Sequence, residues 1–492
     1  MDKKRVLYTL LSILIIASFL RLANLAPADK SGSFSPPGLY ADEAMNGNDA
    51  QLAWETKDFK IFYPENFGRE GLFINIESLF VGAFGNQPWA LRLPSALFGI
   101  ATVLGMYFLA LALYDDPAIA LLAAFFLATS FWHVDFSRIA FRAIMAPFFL
   151  VWGLTFFLRA LKREGRHLEA ILGGVVYGLG FYSYIAYRIT PLLMIIAGAA
   201  TLLALPQKER SEPLKRFWLF TAIAVLIALP LGVYFLQHPA DFFGRTAGLS
   251  ITASAAPLHD FLVNTVKTLG MFNIAGDGNW RHNFAGRPEL SFGVGIFFLL
   301  GIGLSLWALW KKQKKNAISA LITGTWFILL LFPSTLSNEG IPHALRSILL
   351  LPPALLFAAL GGVATYRWLR THIAKPVVIT VAAIFCILLV AETYTLYFVA
   401  WTNRPEVQAA FDYHDYVIGS ELATLPDQLK KYVVVPDTTG TIHDDYPISL
   451  QPVLFLTGTY TDRQRAEKNI TYLTPDQFAS FQQPPGSIVI KL

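Results

Sequence analysis

The chain has 492 residues, of which 54% are hydrophobic and only 15% charged, with a mean hydropathy of +0.48. An ordinary water-soluble enzyme carries about 25% charged residues, so that class is excluded, and 14% aromatic residues exclude intrinsic disorder. The net charge of +5 would fit a nucleic-acid partner, but the basic residues sort to one side of a set of apolar runs, which excludes nucleic acid and indicates a membrane.

About eleven runs are apolar enough to predict transmembrane helices: Val6–Leu22, Trp89–Tyr114, Ala118–Phe131, Ala143–Leu161, Ala170–Tyr184, Ile189–Leu205, Phe217–Leu236, Leu290–Trp310, Ala317–Thr335, Ser347–Tyr366 and Val377–Phe398. The third and fifth are short. Lys3-Lys4-Arg5 ahead of the first run also fits a secretory signal, but Ala26-Pro27-Ala28 is a poor cleavage site and Arg21 interrupts the approach to it, so a retained helix is expected. Connections carrying Lys3, Lys4 and Arg5, then Arg159–Arg166, Lys208–Arg216, Lys311–Lys315 and Arg367–Lys375 alternate with longer, less basic ones. The basic side is predicted to be cytoplasmic, which leaves residues 23–88, 237–289 and 400–492 outside, in a multi-pass protein of the inner or plasma membrane. The lone Cys386 lies in an apolar run and reads as packing.

The first outer loop opens with Gly38-Leu-Tyr-Ala-Asp-Glu-Ala-Met45. Asp42 and Glu43 at a membrane edge suit general-base chemistry. The plainer reading makes Asp42 the N-cap of a helix over Glu43–Glu55, with Glu43 favoured by the helix dipole. Further on, Gly68-Arg-Glu-Gly71 places Arg69 and Glu70 between two glycines, ahead of an amphipathic stretch, Leu72–Phe84. The glycines permit close backbone approach by a ligand, and Arg69 suits a phosphate; an internal Arg–Glu pair is the plainer reading. In the next outer turn, Arg138 and Arg142 would share one face if helical and meet an anionic head group or lipid phosphates. Tyr184, Tyr187 and Arg188 have the same two readings.

The second long loop contains Gly276-Asp277-Gly-Asn279-Trp280-Arg281-His282. An aromatic face among carboxylate and amide groups fits a sugar-binding wall, and the same residues fit a turn-rich loop. Between two later spans, Glu339, His343 and Arg346 crowd a short outer segment, where ionisable groups are functional candidates. His343 and Arg346 are expected on the first turn of the following helix, facing a phosphate. No strong metal motif, phosphate-binding Gly-Lys loop or dinucleotide fingerprint occurs, and His443-Asp444-Asp445 reads as solvated surface. The tail has short β-branched runs (Tyr432–Val435, Val453–Thr457, Ile470–Leu473, Ser487–Ile490) predicted as strands. Helices are expected over Glu406–Leu425 and Pro475–Phe481. A small soluble α/β module over 401–492 follows.

Tyr40-Ala-Asp-Glu-Ala44, Gly68-Arg-Glu-Gly-Leu-Phe73, Leu91-Arg-Leu-Pro-Ser-Ala-Leu-Phe-Gly99, Ser137-Arg-Ile-Ala-Phe-Arg142 and Gly340-Ile-Pro-His-Ala-Leu-Arg346 together resemble the GT-C membrane glycosyltransferases related to protein O-mannosyltransferases and aminoarabinose transferases, over about residues 1–400. The resemblance implies an all-α polytopic membrane fold and a polyprenyl-phosphate-linked sugar donor used on the outer face. The acceptor would be a protein, lipid or glycan. Asp42 matches the family's first-loop Asp, the implied base, with Glu43 positioning it. Arg69, Arg138, Arg142, His343 and Arg346 are expected at the donor phosphate. Glu70, Tyr187, Asp277, Asn279, Trp280, Arg281, His282 and Glu339 are expected at the sugar or acceptor. Some relatives use a divalent metal near the donor phosphate. Single displacement with inversion is the implied chemistry; a transporter or flippase of lipid-linked or small anionic substrates is the alternative, and a non-catalytic scaffold a third.

Overall fold

The computed structural model describes residues 2–26, 34–251, 254–435, 442–443 and 446–492. Pro27 and Ala28 of the cleavage-site motif, and Asp444-Asp445, lie outside these residues. The chain divides into two compact units: residues 1–23, 95–137 and 142–399 form the first, and residues 24–94, 138–141 and 400–492 the second.

The first unit is helical. Nine helices among the described residues are long and apolar enough to cross a membrane, one of them (Pro88–Tyr114) starting in the second unit. Two of the eleven expected spans fall short: Pro117–Thr129 and His167–Leu179 have 13 residues each, about 20 Å of helix at 1.5 Å per residue. That is less than a hydrocarbon core of about 30 Å. Asp116 caps the first of these, accepting from the Ala118 amide at 3.0 Å. The second gives way to a 3-10 turn at Gly180.

Helices Phe292–Trp310 and Leu351–His372 pack backbone to backbone. A Cβ on Gly301 would stand 1.8 Å from the Phe357 carbonyl oxygen, and one on Gly361 2.1 Å from that of Phe297, the small-residue contact typical of helices packed in lipid. The end of the first helix is anchored by Arg21, which is fully buried. Its guanidinium donates to the carbonyls of Ala17, Leu127 and Ala128, and lies 2.7 Å from His133 Nδ1.

In the second unit residues 24–94 and the tail fold together. A three-stranded parallel sheet has Lys431–Val434 at its centre, flanked by Ile470–Leu473 and Ile488–Lys491. Val433, Leu450, Val453, Leu454 and Ile470 form its core, and Leu52 of helix Ala41–Thr56 packs on it. The run expected as a strand at Val453–Thr457 is helix Gln451–Thr457, because Pro452 starts a helical turn and Gly458, at φ +62°, ends it. A short buried apolar run has no period that tells strand from helix. The helix expected over Glu406–Leu425 is two, Pro405–Ala410 and Tyr413–Thr424, broken at Asp412 with φ +47°. The break has a use: Asp412 Oδ2 accepts from the Ala41 amide at 2.9 Å, at the start of helix Ala41–Thr56.

Candidate active site

The acidic pair opens helix Ala41–Thr56, but Asp42 is not its cap. The N-cap is Tyr40, so Asp42 and Glu43 are the second and third helical residues. Glu43 supplies half of a capping box by accepting from the Tyr40 amide at 3.3 Å. The same carboxylate is clamped by Arg92, whose Nε and Nη2 donate to its two oxygens at 2.9 and 2.8 Å, and it also accepts from the Ala140 amide at 2.8 Å. Arg92 in turn donates to the carbonyls of Pro36 and Gly38. Both side chains are fully buried. Glu43 is thus locked in place as a structural partner, and Arg92, in the Arg-Leu-Pro-Ser stretch, is a residue whose role spacing alone did not disclose.

Asp42 is different. It is half-buried, and its Oδ1 accepts one hydrogen bond, from Asn66 Nδ2 at 3.1 Å. Asn46 and Asp49 follow it at i+4 and i+7, on the same helical face. Along that face runs Arg69, donating to Asn46 Oδ1 at 2.8 Å and lying 2.7 Å from Asp49 Oδ2 and 3.7 Å from Glu65. The expectation of a guanidinium presented to a phosphate is not met at Arg69: two carboxylates already balance its charge, and it is 1% exposed.

The flanking glycines serve the protein's own packing rather than a ligand's approach. A Cβ on Gly71 would meet the Lys60 carbonyl oxygen at 2.0 Å, and one on Gly68 the Phe62 ring at 2.5 Å. They allow Phe62–Tyr63 to pair antiparallel with Arg69–Glu70. Glu70, the next residue of that strand, is buried as well.

Sequence reasoning missed Glu77. It sits in helix Leu72–Phe84, fully buried, with no hydrogen-bond partner for either carboxylate oxygen. Burial, helped by the charges of Glu43 and Asp49 and opposed by Arg69, pushes its carboxyl well above the usual range. Burial therefore favours its protonated form.

Arg138 and Arg142 do not share a helical face. The helix Phe131–Phe136 ends before them, and Arg142 begins a separate 3-10 turn. Arg138 is fully buried and donates to the Ser35 carbonyl at 2.7 Å. Tyr187 is likewise a packing residue, buried among Tyr177 and Phe181 with its hydroxyl donating to the Tyr177 carbonyl at 3.2 Å.

In the first unit, the loop expected as a sugar wall is held by turn hydrogen bonds. Asp277 Oδ1 accepts from the Asn279 amide at 2.8 Å, and Asn279 Oδ1 from the Arg281 amide at 3.0 Å. Trp280 packs edge-on against Phe284. Asp277 Oδ2 accepts from the Ala344 amide at 2.8 Å, with His282 Nδ1 at 2.9 Å and His343 Nδ1 at 3.9 Å. Burial raises the Asp277 carboxyl, but the His282 hydrogen bond and the charges of both histidines outweigh it and hold it below the usual range. Asp277, His282 and His343 form a group able to hold a metal ion, with ligand atoms within 4.8 Å of one another.

His343 and Arg346 do not ride a helical turn. They lie in the irregular turns before the 3-10 segment Ile348–Leu350, since the Ala344 amide is drawn to Asp277. Arg346 donates to Ser337 Oγ and to the Glu339 carbonyl at 2.7 Å, with its other nitrogen 3.5 Å from the exposed Glu339 carboxylate. It lines an apolar cavity of about 490 Å³ whose walls include Tyr184, Ile185, Phe242, Phe243, Phe332 and Leu336. Arg188 is the second cation on this cavity, its guanidinium 4.6 and 4.7 Å from the Phe235 and Phe242 ring centres.

Residues 67–243 match the family model of dolichyl-phosphate-mannose-protein mannosyltransferases. The fold is of the GT-C type. The structure is similar to the oligosaccharyltransferase AglB of Archaeoglobus fulgidus solved with an inhibitory peptide and a dolichol-phosphate, with TM-score 0.57 and 15% identity over 96% of this chain and 65% of that one. It is also similar to ArnT of Cupriavidus metallidurans bound to undecaprenyl phosphate, with TM-score 0.54 and 12% identity over 97% of this chain and 91% of that one. The A. fulgidus enzyme solved with Zn and sulfate gives a TM-score of 0.55 at 15% identity, over 95% of this chain and 62% of that one. The chain thus spans a little under two thirds of the archaeal protein's length. A search of curated protein sequences returned no match.

Proposed function

We propose that this protein is a membrane glycosyltransferase that moves a sugar from a polyprenyl-phosphate donor to an acceptor hydroxyl on a protein, lipid or glycan at the extracytoplasmic face. The observation that carries the reading is the apolar cavity walled by Phe242, Phe243, Phe332 and Leu336 and bearing Arg188 and Arg346. A cavity of this size suits a small-molecule ligand, and an apolar wall with two guanidinium groups matches an isoprenoid tail joined to an anionic head. Two proteins of similar fold were solved with polyprenyl phosphates.

Asp42 is the base in this reading. It accepts a single hydrogen bond and is only half-buried, whereas Glu43 is consumed by Arg92 and Glu77 is fully buried with its carboxyl raised. Asp42 takes the proton from the acceptor hydroxyl, the acceptor oxygen bonds to the anomeric carbon, and the carbon–oxygen bond to the donor phosphate breaks. The polyprenyl phosphate leaves with the bonding pair. Displacement in one step inverts the anomeric centre. Arg69 holds the helix that carries Asp42, through Asn46, and Arg138 holds the segment ahead of it, through Ser35.

Equilibrium binding of undecaprenyl phosphate and of undecaprenol to the purified protein tests the cavity. Wild type is expected to prefer the phosphate at least tenfold, and the Arg188→Ala/Arg346→Ala double variant to lose that preference. Equal binding of phosphate and alcohol by wild type contradicts the assignment.

A further inference from the structure

We infer that Asp277, His282 and His343 bind a zinc-class divalent cation that fastens the segment carrying Arg346 to the loop 271–291. Asp277 and His282 come from one loop and His343 from another, all in the first unit. Two imidazoles and one carboxylate are a common zinc ligand set, leaving a fourth position for water. In a tetrahedral site with metal–ligand bonds of 2.0–2.2 Å, neighbouring ligand atoms stand about 3.3 Å apart. The separations here, 2.9 Å from Asp277 Oδ2 to His282 Nδ1 and 3.9 Å to His343 Nδ1, bracket that figure. All three ligand atoms lie within 4.8 Å of one another, close enough for side-chain adjustment to bring them onto one ion.

Charge supplies the second reason. The Asp277 carboxylate is 3% exposed and has no Lys or Arg ion-pair partner among the described residues; only the two imidazoles stand by it. A buried carboxylate without a Lys or Arg counter-charge is costly, and a divalent cation would balance it.

Outer groups already orient the ligand. The Asn279 amide holds Oδ1 and the Ala344 amide holds Oδ2, as the backbone does around metal-bound carboxylates. Glu289 accepts from the Asp277 amide at 3.0 Å through one oxygen, and its other oxygen is buried without a hydrogen-bond partner. The site holds the chain three residues before Arg346, so its role is positional. The inference stands whether or not the transfer reaction is correct.

The test is metal analysis of the full-length protein, purified in detergent with a histidine-free tag. It is stripped with chelator, reloaded with Zn²⁺ or Co²⁺, and dialysed. Expected are one equivalent of bound metal per chain, a tetrahedral Co²⁺ absorption spectrum, and a Zn²⁺-dependent rise in the apparent melting temperature. Each signal should fall at least tenfold in His282→Gln and in His343→Ala. Asp277→Asn should behave likewise. If it fails to fold, the histidine variants decide, because His343 lies towards the surface. Wild type that retains no metal after Zn²⁺ loading overturns the inference, as does full retention by both histidine variants.

Discussion

Arg92 grips both oxygens of the Glu43 carboxylate, at 2.9 and 2.8 Å, in a pair with no solvent exposure. Removing one partner of such a pair leaves an uncompensated buried charge and costs about 3–5 kcal/mol. Glu43→Ala and Arg92→Met should therefore each lower the apparent melting temperature strongly, while Asp42→Asn leaves it nearly unchanged. Differential scanning fluorimetry in detergent checks the contrast, and an unshifted melting temperature in Arg92→Met would show that the clamp contributes little.

Arg69 and Arg346 should separate in the same way. Arg69 is buried against Asp49 and Asn46, so Arg69→Ala should destabilise the protein. Arg346 lines the apolar cavity, so Arg346→Ala should weaken undecaprenyl phosphate binding by ~10- to 100-fold, as expected for hydrogen bonds to a charged group. Isothermal binding and thermal unfolding on both variants decide. Unaltered phosphate affinity in Arg346→Ala removes it from the head-group site.

Asn66 holds Asp42 through a single hydrogen bond. Loss of that contact leaves the carboxylate in place but free to rotate, and small misplacements of a reacting group cost as much as ~100-fold in rate. Asn66→Ala should lower kcat with little change in donor affinity. A variant with unchanged kcat would show that Asp42 needs no such support.

Glu77 gives a pH dependence with a defined sign. Its carboxyl is raised well above the usual range by burial, so between the unfolded and folded values the native state holds a proton that the unfolded state has released. Stability contributed by this group is complete below about pH 4.5 and falls by up to ~1.4 kcal/mol per pH unit as pH rises towards the folded value. Glu77→Gln, neutral throughout, should flatten the melting temperature between pH 5 and 8 and raise it at pH 8. A pH profile identical to wild type would contradict a neutral buried acid.

The membrane character of the chain was legible from hydropathy, since nine long apolar helices coincide with nine of the eleven expected spans. The other two were recognised as apolar but are too short to cross unaided. Patterning failed where period carries no information. Val453–Thr457 is apolar and β-branched yet helical, since Pro452 and Gly458 bound it. At the site, residue types and locations were readable, but their pairings were not. Arg92 reaches Glu43, and His343 comes to Asp277, across long stretches of chain that no local spacing encodes. Glu77 lies in the amphipathic stretch Leu72–Phe84, where nothing local marks it, and it is fully buried. The doubled glycines around Arg69 were read as room for a ligand, whereas the space is taken by the backbone of Lys60 and the ring of Phe62.

The most direct test of the whole account is single-turnover transfer from a bound polyprenyl-phosphate sugar by purified wild type and Asp42→Asn. Wild type should release polyprenyl phosphate and yield an acceptor glycoside of inverted configuration. Asp42→Asn should bind the donor with wild-type affinity and form no product. Transfer by Asp42→Asn at near-wild-type rate, or a product of retained configuration, would contradict the account.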